Sequence, residues 1–212
     1  PMPFQTGVSP WSEDRLVNGG AEEGTAHWTA DTGPLEALSD GECAGIAPHS
    51  GEYYFAVGGL CSGEVAWGSA HQDVDVSDWA DRIDEGGTSS QLSAWMANYG
   101  GSDTPSSYLA YLDHSTEEVG RSSSISSATG TWTEVSLQTI VPLGTRTIRV
   151  VLEGTRHGGT DNDSYIDDIA LKLSDHPVED SDCDRAPDET PDADTDADAD
   201  TDADTDTDTD AD

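Results

Sequence analysis

Apolar and polar residues alternate along several short stretches of the chain. The clearest is TRTIRVVLEGT, residues 145–155, where Thr147, Arg149 and Val151 alternate with Ile148, Val150 and Leu152. A period of two is typical of a β-strand with one buried face. The other stretches with strand character lie between Gly, Ser or Pro turn signals, at residues 51–59, 72–76, 89–100, 106–114, 131–142 and 162–174. Many short strands separated by turns predict an all-β antiparallel sandwich.

Helical periodicity is almost missing from the pattern. Only a short helical turn is predicted, around Trp79, Ala80 and Ile83, with Ser77 or Asp78 as its N-cap. No amphipathic stretch of about ten residues or more is found, so the predicted sheets have no covering helices.

The last predicted strand contains two adjacent aspartates, in YIDDIALKLS. Strict alternation places Asp167 on the same face as Tyr165 and Ile169, and Asp168 on the opposite face with Ile166. Asp167 then lies on the more apolar face, where an unpaired carboxylate is costly. The pattern therefore predicts a positive partner for Asp167.

Charge is the dominant compositional feature: 44 acidic and 8 basic residues give a net charge of −36. Binding to nucleic acid or anionic lipid depends on Lys and Arg clusters, so this composition argues against both partners. Two explanations of the acidic charge remain open: solubility in a salty medium, and adaptation to a calcium-rich exterior. No run of apolar residues approaches the roughly 20 needed to span a membrane, so no membrane insertion by this chain is predicted.

The acidic residues are concentrated toward the C-terminus. Residues 179–212 contain 17 acidic residues and one basic residue, and from position 192 aspartate alternates with threonine or alanine. Nothing in this segment is available to bury, and its charges repel one another. We expect residues 1–15 to be an N-terminal lead-in, 16–177 a folded domain, and 178–212 a disordered or extended acidic stalk.

Three cysteines are present. Cys43 and Cys61 lie in glycine-rich parts of the body, and Cys183 lies in the acidic tail. Their spacing matches no metal motif, so we predict a Cys43–Cys61 disulfide with Cys183 apart. A disulfide indicates an oxidising compartment. Together with a first residue that is not Met, this leads to the expectation of a secreted or cell-surface protein whose export signal has been removed.

Four motifs in order resemble galactose-binding-like β-jelly-roll domains, a group that includes many calcium-containing carbohydrate-binding modules of bacterial extracellular proteins. They are LVNGGAEEGTAHW (16–28), GEYYFAVGG (51–59), HQDVDVSDWADRID (71–84) and the closing PLGTRTIRVVLEGTR with NDSYIDDIALKL (142–156 and 162–173). The resemblance covers about residues 16–174 and implies a jelly-roll sandwich. One departure is Ala21, which stands where the family has an aromatic residue.

The same resemblance implies a structural Ca²⁺ that ties the first strand region to the last. Carried over residue by residue, its ligands are Glu22 with neighbouring Glu23, and Asp167 or Asp168. Calcium takes six to eight oxygen ligands from carboxylates, carbonyls and water, which these residues and the nearby backbone can supply. On this reading Ca²⁺ is the partner of Asp167. The alternative is that one aspartate faces solvent and the other accepts hydrogen bonds from the backbone or an arginine.

Exposed aromatic side chains are the second candidate site, because sugars stack their C–H faces on aromatic rings and bond to polar side chains. Trp67 is predicted in a Gly/Ser-bounded loop, where it would act as a platform. The polar residues that follow Trp67 would bond to the hydroxyl groups of the sugar. The predicted strand at residues 89–100 adds two more aromatic residues. The predicted ligand-binding set is Trp67, His71, Gln72, Asp73, Trp95 and Tyr99. Trp95 and Tyr99 have an alternative role as core residues.

No nucleophile elbow, zinc-protease helix, P-loop or dinucleotide fingerprint is present, so we predict that the chain is not an enzyme. Two functions remain. The first is a secreted, calcium-stabilised carbohydrate-binding or adhesive module, with a glycan or polysaccharide as partner, displayed on the acidic stalk. The second is a structural subunit of an extracellular filament or surface assembly that packs against copies of itself.

Overall fold

The fold is a sandwich of two antiparallel sheets, as predicted. The computed structural model describes residues 11–175; the predicted acidic stalk and Cys183 lie outside the described residues. One sheet has the order β1-β4-β10-β6-β7, with β8 also pairing with β6, and the other has the order β2-β3-β11-β5-β9. The strands are β1 (Thr29–Thr32), β2 (Leu35–Leu38), β3 (Tyr54–Val57), β4 (Trp67–Asp75), β5 (Ser89–Ala97), β6 (Thr104–Leu112), β7 (Glu118–Arg121), β8 (Ile125–Ser126), β9 (Thr133–Ile140), β10 (Thr147–Thr155) and β11 (Tyr165–Ser174).

The main core lies between the two sheets. The predicted inward set of β10, Ile148, Val150 and Leu152, is fully buried there. The alternate residues of β10 therefore lie on the outer face of the six-stranded sheet. This confirms the alternation from which the sandwich was predicted.

Strands β1, β2, β7 and β8 had not been predicted. They are two to four residues long, and β1 and β7 are almost wholly exposed. Edge strands of this kind bury little, so they show no period-two pattern of apolar residues.

The helical turn is present as a single short helix, α1 (Ala80–Glu85), preceded by a 3₁₀ turn at Ser77–Trp79. The predicted cap is wrong: neither Ser77 nor Asp78 caps α1, and the carboxylate of Asp75 instead accepts the amide of Ser77. Both residues lie within the 3₁₀ turn, and Trp79 occupies the N-cap position. Within the described part of the chain, no helix is both long and apolar enough to cross a bilayer.

The face assignment predicted for β11 is wrong at its two aspartates. A β-bulge between Asp167 and Ala170 shifts the register against β5, and Asp168 adopts a positive φ of 47°. The extra residue changes the phase of the strand, so that Ile166 and Ile169 both join the main core. Asp167 and Asp168 are consequently no longer on opposite faces, and both contact the same loop.

The outer face of the five-stranded sheet is covered by the segment between β2 and β3. A second apolar cluster forms under it, comprising Leu38, Tyr54, Ala56, Leu60, Ala97 and Tyr165, with Ile46 and Trp132 packed alongside. The Cys43–Cys61 disulfide links this segment to the loop after β3, which confirms the predicted pairing within the described residues. We refer to residues 39–53, between β2 and β3, as the cover segment.

Candidate functional site

The outer face of the six-stranded sheet carries an open groove. Strands β1, β4, β10, β6 and β7 all contribute to its lining. The lining residues are Asp31, Trp67, Ser69, Tyr108, Ala110, Leu112, Glu118, Arg121, Arg149, Val151 and Glu153. These positions share a face because β10 pairs in continuous register with both β4 and β6. The groove encloses about 180 Å³, less than the pockets of roughly 300–1,000 Å³ that enclose small ligands. Its size suits a ligand laid across the surface.

Trp67 lies at one end of this groove and is 44% exposed. It is the first residue of β4, so the predicted loop is wrong at this position. The reason is Gly68, whose backbone packs directly against that of Gly58 and leaves no room for a Cβ. Glycine and serine weaken the sequence signal of a strand, and here they mark a close approach of two backbones.

The polar residues predicted beside Trp67 divide between the two faces of β4. His71 and Asp73 share the outer face with Trp67, and His71 Nδ1 lies 2.8 Å from the carboxylate of Asp31. Gln72 points inward and is buried, where its amide exchanges hydrogen bonds of 2.9 and 2.8 Å with the backbone of Val17. The structure therefore does not bring Gln72 to the groove.

Two arginines in the groove are held by bidentate ion pairs. Arg149 donates to both oxygens of Asp73 at 2.7 and 2.8 Å, and Arg121 donates to both oxygens of Glu118 at 3.0 and 2.8 Å. The hydrogen bonds from Arg149 hold the pKa of Asp73 below its usual value. Arg121 also lies 4.5 Å above the ring of Tyr108. Bidentate pairing fixes the orientation of each guanidinium, which presents its remaining N–H groups from a defined position.

Trp95 and Tyr99 do not reach the groove. Trp95 belongs to β5 in the other sheet, where its ring stacks on His49 of the cover segment at a centroid distance of 3.7 Å. Tyr99 follows the end of β5 and is 62% exposed. The two predicted aromatics therefore do not form one platform with Trp67.

A second site is formed where the cover segment meets β11. A ligand atom from each of His49, Asp167 and Asp168 lies within 4.8 Å of the others, which makes this the one such cluster of three metal-binding side chains among residues 11–175. Asp168 accepts from Ser50 Oγ at 2.8 Å and lies 2.6 Å from His49 Nδ1. The bulge is what brings both aspartates to this place.

Asp167 is fully buried and has no Lys or Arg partner among residues 11–175. Its carboxylate accepts three backbone amides, those of His49 at 2.9 Å, Ser50 at 3.2 Å and Asp168 at 2.8 Å. The pKa of Asp167 is raised to about 6, chiefly by burial and also by the charge of Asp168, against the lowering effect of the amides. The alternative of backbone hydrogen bonding is thus present, but it leaves a buried negative charge without a counter-charge.

The two glutamates predicted as metal ligands have different positions. Glu22 lies outside the three-residue cluster but contacts the same loop, since its carboxylate accepts the amides of Glu52 at 2.9 Å and Tyr53 at 3.1 Å. Glu23 forms an ion pair with His27 at 3.3 Å. The structure therefore brings Glu22 beside the aspartates and leaves Glu23 out.

His49 was missed by the sequence reasoning. It lies more than one hundred residues from Asp167 along the chain and belongs to no motif. Only the folding of the cover segment over β11 brings the two together.

The carboxylate oxygens of this site, without the imidazole of His49, fit a hard divalent cation. Two carboxylates, one of them buried without a counter-charge, supply oxygen atoms, and Glu22 borders the same loop. Gly20 also belongs to the site, because a Cβ there would lie 3.3 Å from an oxygen of Asp168 and 3.6 Å from one of Asp167. A glycine at this place keeps the space beside both carboxylates open.

Comparison with known proteins places the fold. No family model and no curated relative matches the sequence. Among solved structures, the tandem CBM22-1–CBM22-2 domain of Paenibacillus barcinonensis Xyn10C matches with a TM-score of 0.50 at 14% identity, over 78% of this chain and 47% of that one. The chain has the fold of the jelly-roll carbohydrate-binding modules.

Two further solved structures are similar to the chain. The enzymatically active domain of tailspike protein 4 from bacteriophage CBA120 matches with a TM-score of 0.52 at 20% identity, over 78% of this chain. The chain spans only 22% of that protein's length. TmCBM61, solved with β-1,4-galactotriose, matches with a TM-score of 0.49 at 17% identity, over 76% of this chain and 98% of that one. At 20% identity the tailspike match bears on the architecture alone.

Proposed function

We propose that this chain is a non-catalytic carbohydrate-binding or adhesive module that holds a glycan in the groove of the six-stranded sheet. The single observation that carries the proposal is the groove itself, with Trp67 exposed at one end and oriented polar side chains along its floor. Sugars stack on such rings and bond to such side chains. The fold shared with carbohydrate-binding modules agrees with this use.

The same proposal places the protein outside the cell or on its surface. The Cys43–Cys61 disulfide supports this, because disulfides persist in oxidising compartments. The strongly negative charge favours solubility in a salty exterior and disfavours adsorption to anionic polymers.

We further propose that Ca²⁺ stabilises the module at Asp167 and Asp168. The supporting observations are the buried carboxylate without a counter-charge and the open space beside Gly20. When bound, the ion would supply the positive charge that Asp167 lacks, since no described Lys or Arg pairs with it. Asp167, Asp168 and the neighbouring Glu22 would hold it, and this would fix the cover segment to β11.

A glycan array probed with the purified protein, with calcium and again with EDTA, tests the binding function. We expect binding to a restricted set of oligosaccharides. Binding to no glycan under either condition, by protein that melts cooperatively, would contradict the proposal.

Self-assembly is the second candidate function, and one edge of the sandwich favours it. Strand β9 pairs with β5 alone among the described strands, so no described strand is hydrogen-bonded to its outer edge. Ile140 at its end is 55% exposed, and Leu143 just beyond is 62% exposed. Open edges with apolar ends can pair with another copy. Concentration-dependent growth in sedimentation velocity, lost on Ile140→Lys, is the expected signature of an assembly subunit, and a monomer at every concentration would contradict it.

A further inference from the structure

The side chains that line the groove carry more negative than positive charge. Arg121 and Arg149 are each neutralised by a bidentate carboxylate partner, as described above. Two lining carboxylates, those of Asp31 and Glu153, have no Lys or Arg bonded to them among the described residues. The groove therefore keeps an excess of negative charge after its internal ion pairs are formed.

Glu153 is the more significant of these two carboxylates. It is half-buried on the central strand β10. Among the described residues its carboxylate accepts one hydrogen bond, from Ser106 Oγ at 3.3 Å, which is long for a charged acceptor. The carboxylate therefore retains most of its capacity to accept. A groove-bound donor is the partner that would use it.

Trp67 stands next to this carboxylate on the same face. β4 and β10 pair Trp67 with Thr155 and Ser69 with Glu153, so Trp67 and Glu153 are diagonal neighbours across the two strands. Diagonal neighbours have Cα atoms about 7–8 Å apart, which side chains of this size span easily. A single sugar ring stacked on the indole therefore has its substituents within reach of Glu153.

Asp31 approaches the same end from the other side. A bulge in β1 lies between Ala30 and Thr32, at Asp31, and Asp31 lines the groove together with Trp67. Its partner is His71, which is charged only if protonated. The end of the groove thus combines an exposed aromatic ring with two carboxylates that lack a permanent counter-charge.

We propose that this end of the groove selects glycans that carry free amino groups, such as polymers of de-N-acetylated hexosamine. The inference rests on the proposed glycan-binding function and names its ligand class. An ammonium group forms a charge-assisted hydrogen bond with a carboxylate and is attracted to the face of an indole ring. A uronic acid or a sulfated sugar would instead meet uncompensated negative charge. The field of the whole protein, with its net charge of −36, also concentrates cations near the surface.

A matched series of tetrasaccharides tests this inference: β-1,4-linked glucosamine, its fully N-acetylated form, and cellotetraose. All three share a backbone, and the first differs from the last only at position 2 of each sugar. At pH 6 and low salt we expect the glucosamine tetramer to bind at least about tenfold more tightly than the other two, as measured by calorimetry. The advantage should shrink in 1 M NaCl, where the screening length falls to about 3 Å.

Two variants separate the groove from the general acidity of the protein. Glu153→Gln should remove most of the advantage of the amine-bearing ligand. Glu134→Gln makes the same charge change at an exposed position of β9 in the other sheet and should keep it. Equal loss in both variants, or none in either, would overturn the inference.

The failure of this inference is distinguishable from the failure of the proposed function. If the array returns neutral glycans and the glucosamine tetramer binds no better than cellotetraose, the groove is a glycan site without amine selectivity. If the tetrasaccharides and the array all fail to bind, both proposals fall.

Discussion

The two outer faces of the sandwich are built from the same alternation of residues, yet only one of them is open. The six-stranded sheet exposes Trp67 and a polar groove. The five-stranded sheet carries more aromatic residues, but the cover segment packs on them: the ring of His49 stacks on Trp95 at a centroid distance of 3.7 Å. The indole N–H of Trp132 is also used, in a 2.8 Å bond to the carbonyl of Ala47.

This difference teaches that aromatic content does not locate a ligand platform by itself. An aromatic ring is available to a ligand only if no other part of the chain already packs on it. The face beneath the cover segment stabilises the fold, and the face without a cover is available to a ligand. The predictions below test this division, beginning with the largest expected effect.

Removing the disulfide should weaken the covered face most. The double variant Cys43→Ser/Cys61→Ser frees a loop with a sequence separation of 18 residues. Loop-closure entropy for a ring of this size corresponds to about 3 kcal/mol of folding free energy. We expect the melting temperature to fall by roughly 6–12 °C for a domain of this length.

The groove should not change in that variant. Its binding constant for a glycan, measured well below the melting temperature, should match the parent. A variant that melts like the parent, or one that stays folded and loses glycan binding, would contradict the division between the faces.

Removing calcium should lower the stability of the folded protein slightly less than removing the disulfide does, again through the covered face. Binding to the folded state alone stabilises by about 2.7 kcal/mol at a hundredfold excess over Kd. We expect the melting temperature to drop in EDTA and to recover with Ca²⁺, as followed by differential scanning calorimetry.

Variants show whether the aspartates are responsible. Asp167→Ala/Asp168→Ala should melt identically with Ca²⁺ and EDTA, whereas Glu23→Ala should respond like the parent because Glu23 pairs with His27 outside the cluster. An unchanged melt of the parent in EDTA would exclude a stabilising calcium.

The features of the Asp167 and Asp168 site that could be predicted from the sequence are those that depend on neighbouring residues along the chain. The two aspartates and the strand that holds them were predicted, because period-two alternation is a local signal. Their convergence on one loop was not, because it depends on a bulge and on Asp168 at positive φ, which no alternation reveals. His49 was missed because its proximity is created by the cover segment.

The groove itself was not predicted, although two of its features were open to sequence reasoning. The outward set of β10 could be read from alternation, and Trp67 was singled out as exposed, which the structure bears out. Its partners Tyr108, Arg149 and Glu153 come from strands adjacent only in the folded sheet, so strand order was required to find them.

The pKa of Asp167 provides a third, smaller test of the covered face. Burial raises it to about 6 in the folded protein, above the value of about 3.9 expected for an unfolded chain. A raised pKa stabilises the fold below the unfolded value, and this contribution is lost as pH rises through 6.

In EDTA, the parent should therefore lose stability relative to Asp167→Asn between pH 4 and pH 7. We expect a relative change on the order of 1–2 kcal/mol, because each pKa unit corresponds to ~1.4 kcal/mol and the exposed loop beside the site screens part of it. Thermal melts of both proteins across this range measure the difference, and parallel pH profiles would show that Asp167 is ionised as easily as in water.

The central claim is that the open face binds glycan and the covered face does not. Trp67→Ala and Trp95→Ala remove one indole from each face, and comparing them by melting and by titration with a glycan from the array tests the claim most directly. We predict opposite outcomes: Trp67→Ala should melt like the parent and lose roughly tenfold or more in affinity, since one aromatic platform contributes about 1–3 kcal/mol. Trp95→Ala should melt earlier, because it loses its stack on His49, and bind as the parent does. Loss of affinity in Trp95→Ala with none in Trp67→Ala would contradict the account.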